Sequence, residues 1–90
     1  MIGSLEQMAD HFHEVLDTDF PVNEVAMHPA DFPEFYEQNK VHVHLSGAPW
    51  LAGEIVGSIW GASIRLSNSV LETRVRVESR GGTIERNLFL

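Results

Sequence analysis

The sequence predicts an α+β domain in which two N-terminal helices pack on a small, mostly antiparallel sheet that ends in a β-hairpin. Apolar residues recur at helical spacing before Lys40 and alternate at strand spacing after it, which is the first observation behind this fold class. The second is Gly81-Gly82, a two-residue hairpin signal between two alternating segments. Ninety residues are enough for one domain with one modest core.

The first helix is predicted over residues 4–16, because its apolar residues fall on one stripe, namely Leu5, Met8, Phe12, Val15 and Leu16. Ser4 and Gln7 have the spacing of a capping box at its start. The opposite face is acidic, and it carries Glu6, Asp10, Glu14 and Asp17 together with His13. Acids this close on a helix usually mark a solvated face rather than an acid–base pair.

A short strand over residues 22–27 is predicted to precede the second helix, which ends near Asn39. Asp31 and Glu34 have the spacing of a second capping box, although Pro29 is an alternative first helical residue. The predicted inner face of this helix carries Phe32, Phe35 and Tyr36.

Alternation after Lys40 predicts strands, which cover residues 41–45, 54–56, 58–67, 72–80 and 83–90. In the first of these, Val41, Val43 and Leu45 are expected on the buried face, with His42 and His44 opposite them. Residues 46–50 are predicted to form a loop, since Gly47 and Pro49 interrupt the pattern.

Charge is divided unevenly along the chain. The first 39 residues contain nine acids and no Lys or Arg, whereas the rest contains six bases and four acids, so that −9 and +2 give the net charge of −7. Binding to nucleic-acid phosphates needs clustered Lys and Arg, and we expect no direct nucleic-acid contact. The chain has no Cys and no apolar run near the ~20 residues of a membrane span, so we expect a soluble, intracellular protein without membrane contact.

Chemistry-bearing patterns are weak in this chain. His42 and His44 would share a strand face, a spacing that can chelate a metal with Glu54 or His28 as a third ligand, but two solvent-facing polar positions explain the pair more simply. The serines lack a G-x-S-x-G context, and the glycines form no phosphate-binding loop. We therefore predict no enzymatic activity, no bound metal and no cofactor.

Aromatic and basic residues in the second part of the chain suggest contact surfaces instead. Trp50 lies in the Gly/Pro loop and is a candidate interface anchor, with packing over the core as the alternative, whereas Trp60 is expected in the core. Arg65, Arg74 and Arg76 would form a basic stripe if their strands pair. Such a stripe is either a solvated face or a docking surface for an acidic partner, including the acidic helix of another copy.

Three segments resemble major capsid proteins of tailed phages. The first is Met27-His28-Pro29-Ala30-Asp31-Phe32, in which a strand leads into a His-Pro-x-Asp-aromatic helix start. The others are Ser58-Ile59-Trp60-Gly61, with the strand and Ser/Asn turn that follow it, and the hairpin Arg80-Gly81-Gly82-Thr83-Ile84-Glu85. The resemblance spans about residues 22–85 in miniature and implies a phage origin and an α+β fold, with no catalytic or binding residue carried over.

The chain also departs from that family. The extended arm and the long spine helix of the capsid proteins have no counterpart, and Ala62-Ser63 stands where Pro-Val usually follows Trp-Gly. A shell-forming role is therefore not expected. We expect instead a small phage structural or assembly protein that contacts other proteins or forms homo-oligomers, in the virion or the host cytoplasm. The alternative is an early phage inhibitor whose acidic helix occupies a basic groove of a host enzyme or defence complex.

Overall fold

Two helices and six strands make up the protein in this computed structural model, which describes residues 5–89, apart from the side chains of Leu5 and Glu6. The helices are α1 (Leu5–Val15) and α2 (Phe32–Asn39), and a 3₁₀ turn (Pro29–Asp31) leads into α2. The strands are β1 (Val22–Met27), β2 (Val43–Leu45), β3 (Ile55–Ile59), β4 (Ala62–Leu66), β5 (Arg74–Ser79) and β6 (Gly82–Asn87). They form one mixed sheet in the order β2-β3-β4-β1-β5-β6.

The centre of the sheet is β1, and this corrects the predicted topology. The α+β class is confirmed, but the expectation that both helices precede the sheet was wrong, because β1 lies between them in sequence. Val25 pairs with Ile64 of the parallel strand β4 and with Val77 of the antiparallel strand β5. Residues 25–27 are buried on both faces of the sheet, which is the pattern of a central strand.

Both helices pack on the same face of the sheet. Phe12 of α1 and Phe35 of α2 meet edge to face, with 4.7 Å between their ring centroids. Beneath them lie apolar residues of the central strands, among which Val25, Met27, Ile64, Leu66, Val75 and Val77 are fully buried. Within residues 5–89 no helix lies over the opposite face of the sheet, and we call it the open face. In the part of the chain that is described, no helix is both long and apolar enough to cross a membrane.

The start of α2 differs from the predicted capping box. Asp31 makes no side-chain cap; its Oδ2 instead accepts a hydrogen bond from the backbone N–H of Thr73 at 2.8 Å. This contact holds Thr73 at a φ of +65°, a conformation that a β-branched residue rarely adopts. Nδ1 of His28 accepts from the N–H of Ala30 and opens the 3₁₀ turn. The capping box predicted at Ser4 lies outside the described residues.

Tight two-residue turns connect β3 to β4 and β5 to β6. Trp60 and Gly61 join β3 to β4 with φ values of +46° and +83°, the signs that a two-residue turn of this kind requires. Trp60 is therefore a turn residue with 41% of its surface exposed, and the expectation that it belongs to the core was wrong. The predicted hairpin at the end of the chain is present, but its turn is Arg80-Gly81 and not the predicted Gly81-Gly82, because Gly82 already pairs with Ser79 as the first residue of β6.

The predicted alternation over residues 41–45 holds at one position only. Val43 is buried, but Val41 lies in the turn ahead of β2 and is 86% exposed, and Leu45 is 46% exposed. These two residues were expected in the core. Val41 is exposed because it precedes β2 and pairs with no strand, and Leu45 is the last residue of a three-residue strand at the edge of the described sheet.

Candidate protein-binding surfaces

The acidic face predicted on α1 is solvent-exposed. Asp10 and Glu14 are exposed on the helix, and Asp17 is exposed in the turn that follows it. None of the three carboxylates forms an ion pair among the described residues. The fourth predicted residue, Glu6, has a side chain outside the described part. The opposite side of α1 buries Met8, Phe12 and Val15, so the helix separates charge from core as predicted.

The three arginines lie on the open face, but they do not form a continuous basic stripe. Because β1 lies between β4 and β5, Ala26 of β1 stands between Arg65 and Arg76. Nε of Arg65 donates to Glu24 at 3.1 Å, and its Nη1 donates to the carbonyl of Gly53. Glu24 itself stands opposite Glu78 in the register.

Each remaining arginine is also held by a neighbour. Nη1 of Arg74 donates to Asn87 Oδ1 at 2.7 Å, and Nη2 of Arg76 donates to Ser69. Arg76 further stands opposite Glu85 in the register. The open face therefore mixes both charges, which weakens it as a docking surface for an acidic partner.

An exposed apolar surface surrounds the β2–β3 hairpin. We call it the hairpin patch, and it consists of Leu45, Trp50, Leu51 and Ile55. Leu45 pairs with Gly57 on the helix-covered side, whereas Ile55 pairs with Arg65 on the open face. The patch therefore wraps round this edge of the sheet.

Trp50 is fixed against the helix layer. Its ring lies edge-on to Phe32 at 4.7 Å and to Tyr36 at 5.6 Å, while 40% of the residue stays exposed. Trp50 is therefore partly exposed, as predicted, and it also packs over the core, which was the alternative. Sequence reasoning missed Leu45, Leu51 and Ile55, because their exposure depends on which elements lie next to the β2–β3 hairpin, and no local pattern in the sequence gives that.

Histidines gather at a different corner. Trp60 contacts His42 with 4.8 Å between ring centroids and His13 with 5.2 Å, and it stacks on Phe12. His42 lies in the turn before β2, so it does not share a strand face with His44 as predicted. Among residues 5–89, no three His, Asp or Glu side chains lie close enough together to hold a metal ion.

A groove of about 530 Å³ separates α1 from the end of α2. Its walls include Ala9, Gln38 and the exposed Val41. At its rim Lys40 donates to Glu37 at 3.0 Å, and this hydrogen bond and the negative charge raise the pKa of Lys40 above its usual range. Five of the seven residues that line the groove are polar or charged, namely Asp10, Glu37, Gln38, Lys40 and His42.

The two edges of the sheet differ in their free peptide groups. The N–H of Leu88 donates to the carbonyl of Thr73. In an antiparallel pair every second residue bonds with the neighbouring strand, so the peptide groups of Thr83, Glu85 and Asn87 point away from β5. Two of these outward carbonyls are occupied: that of Glu85 accepts from Nη1 of Arg86 at 2.9 Å, and that of Asn87 accepts from Nε2 of His11 at 3.2 Å.

On β2 the outward groups stay free. The N–H of Ser46 donates to Val56, so His44 bonds with Ser58 and the peptide groups of Val43 and Leu45 point away from β3. Within the described residues, no side chain or strand pairs with them.

No protein-family model matches the chain, and no curated protein or solved structure is significantly similar to it.

Proposed function

We propose that this chain is a small structural or assembly protein, phage-encoded, that acts through protein–protein contacts made by the hairpin patch. The observation that carries the proposal is a cluster of exposed apolar side chains on a hairpin that the fold holds in place. Trp50 and Leu51 are adjacent in the chain, and exposed apolar side chains that lie together are typical of interaction sites. The phage origin rests on the capsid-like segments in the sequence, and the place of action is the virion or the host cytoplasm.

Preorganisation makes the patch suited to binding. The Trp50 ring packs against the rings of Phe32 and Tyr36 and stays partly exposed to solvent. A binding partner therefore does not need to order this side chain. Large aromatic residues held in this way are frequent hot spots. Leu51, which is 62% exposed, extends the apolar surface beside it.

The test compares two leucine substitutions. Leu51→Ser lies in the patch, and Leu71→Ser lies in the β4–β5 connection, where Leu71 is 76% exposed. We expect Leu51→Ser to abolish incorporation into particles or self-association without changing the thermal unfolding temperature, whereas Leu71→Ser behaves as wild type. A chain that is monomeric and absent from purified particles contradicts the proposal.

One observation favours the alternative of a host-directed inhibitor. Asp10, Glu14 and Asp17 are exposed and make no ion pair among the described residues, so they are available to a basic partner. Binding of this kind is steered by charge and weakens as salt screens it. Asp10→Lys combined with Glu14→Lys should then eliminate a salt-sensitive host partner from pull-downs. An unchanged partner with the double variant rules this alternative out.

A further inference from the structure

We propose that β2 is a self-association edge, at which two copies of the chain pair their β2 strands antiparallel about a two-fold axis through His44. This inference rests on the proposed function in that it names the partner of the hairpin patch as a second copy. It uses three features of the structure: the free peptide groups of β2, the character of residues that would face each other, and the position of exposed apolar side chains.

The hydrogen-bonding groups of two β2 strands are complementary. On each copy the N–H and C=O of Val43 and Leu45 point away from β3. With the axis at His44, Val43 of one copy stands opposite Leu45 of the other. Each such pair exchanges two N–H···O=C bonds, so every outward group of β2 is satisfied on both copies, and the two sheets become one.

The facing side chains are compatible. Leu45 meets Val43 of the other copy on the helix-covered side, which buries a leucine that is half-exposed in one copy. His44 meets His44 of the other copy on the open face. No acid stands opposite an acid in this register, although each copy carries a net charge of −7.

The two-fold also accounts for Val41, the most exposed large apolar residue among those described. Because the strands are antiparallel, the loop that follows β2 in one copy runs beside the turn that precedes β2 in the other. That loop carries Trp50 and Leu51, and that turn carries Val41. The apolar surface beyond the short strand therefore comes together on pairing, and it supplements the few hydrogen bonds that three residues can make.

The opposite edge does not offer the same surface. The outward carbonyls of Glu85 and Asn87 on β6 already accept hydrogen bonds from Arg86 and His11. This leaves one of the three outward carbonyls of β6 without a partner among the described residues, and charged side chains on an edge also disfavour the addition of another strand. A second copy is therefore expected at β2 and not at β6.

The test measures self-association of the full chain by sedimentation equilibrium from ~10 µM to ~500 µM, the range in which a small interface is populated. Leu45→Pro removes an N–H that no group of the same copy uses, so the fold tolerates it at the edge while each dimer loses two inter-copy hydrogen bonds. We expect dimerisation to weaken roughly 10- to 100-fold. Thr83→Pro is the matched control, since its N–H is also outward but lies on β6, and it should dimerise as wild type does.

A second variant keeps the test decisive if Leu45→Pro does not fold. His44→Glu places two carboxylates opposite each other at a pair whose Cα atoms are about 4.5 Å apart, and we expect the dimer to be lost. Thr83→Glu adds the same charge at β6 and should have no effect on association.

The outcomes separate this inference from the function it rests on. A wild-type dimer that Leu45→Pro and His44→Glu both weaken supports the pairing. A dimer that survives both variants overturns the pairing and leaves a self-assembling protein. A wild-type chain that stays monomeric up to ~500 µM but joins particles in a Leu51-dependent way overturns the pairing alone. Absence of both association and incorporation overturns the pairing and the proposed function together.

Discussion

The two edge strands of the sheet, β6 and β2, differ in length and in the hydrogen bonding of their outward peptide groups. The β6 edge is six residues long and has two outward carbonyls capped by Arg86 and His11. The β2 edge is three residues long, keeps its outward groups free among the described residues, and is bordered by the hairpin patch. Free peptide groups on an edge are a template for another strand; the β6 edge is partly capped, whereas no outward group of β2 is capped among the described residues.

Side-chain character follows the same division. The residues of β6 whose peptide groups point outward are Thr83, Glu85 and Asn87, and all three have polar side chains. The corresponding residues of β2 are Val43 and Leu45, which are apolar. Water satisfies an exposed polar edge at little cost, but it cannot make an exposed leucine favourable. The difference teaches that strand length alone does not describe what an edge offers to a partner; the state of its peptide groups and the apolar surface beside them also differ.

The largest effect is expected from glycines that lie close to each edge. An added Cβ at Gly57 would overlap the backbone carbonyl of His44, which only a shift of β2 can relieve. An added Cβ at Gly81 would overlap the ring of Phe20, an exposed side chain that can turn away. We expect Gly57→Ala to lower the free energy of unfolding by about 1–3 kcal/mol and Gly81→Ala by less than about 1 kcal/mol. Urea denaturation of both variants measures this; equal costs would contradict the difference in rigidity.

An intermediate effect is expected in amide exchange. At low concentration the N–H groups of Val43 and Leu45 should exchange nearly as fast as those of Thr83 and Glu85, because all four point away from their neighbouring strand. At high concentration β2 pairing should slow exchange at Val43 and Leu45 at least about tenfold while the β6 amides are unchanged. NMR-detected exchange at two concentrations distinguishes the edges. Slowing at β6 instead would reverse the assignment.

The smallest effect is expected from removing a cap. Arg86→Ala frees the carbonyl of Glu85, which water then occupies, so the free energy of unfolding should fall by less than about 0.5 kcal/mol. The β6 edge, however, loses part of its protection, and light scattering should show larger assemblies than the wild-type dimer. A control variant, Arg80→Ala, changes the same charge in the β5–β6 turn, and it should leave assembly unchanged. A loss of several kcal/mol would mean that Arg86 supports the core rather than the edge.

Residue patterns predicted much of the local structure. Helical spacing placed Met8, Phe12 and Val15 in the core and Asp10 and Glu14 in solvent, and the structure agrees. Alternation predicted a strand over residues 72–80, and β5 lies within it with Val75 and Val77 fully buried. These predictions succeed because periodicity reports which side of an element is apolar.

The same residue patterns did not predict which strands and helices lie next to each other. Val41 and Leu45 alternate as a half-buried strand should, yet they are exposed, because burial also needs a neighbouring layer and β2 has a strand on one side only. Trp60 has the bulk of a core residue, but Gly61 after it forms a turn that carries the ring to the surface. The arginines share a face as expected, but β1 separates Arg65 from Arg74 and Arg76.

The sequence by itself determined the two helices, the apolar face of α1, the exposed acids on its other face and the presence of the β5–β6 hairpin, because these depend on contacts within a few residues. Only the tertiary structure decided that β1 is central and parallel to β4, that β6 has capped carbonyls, and that β2 is a free edge bordered by the hairpin patch. These features depend on contacts between residues far apart in sequence, such as His11 with Asn87, whose free energy no local pattern encodes.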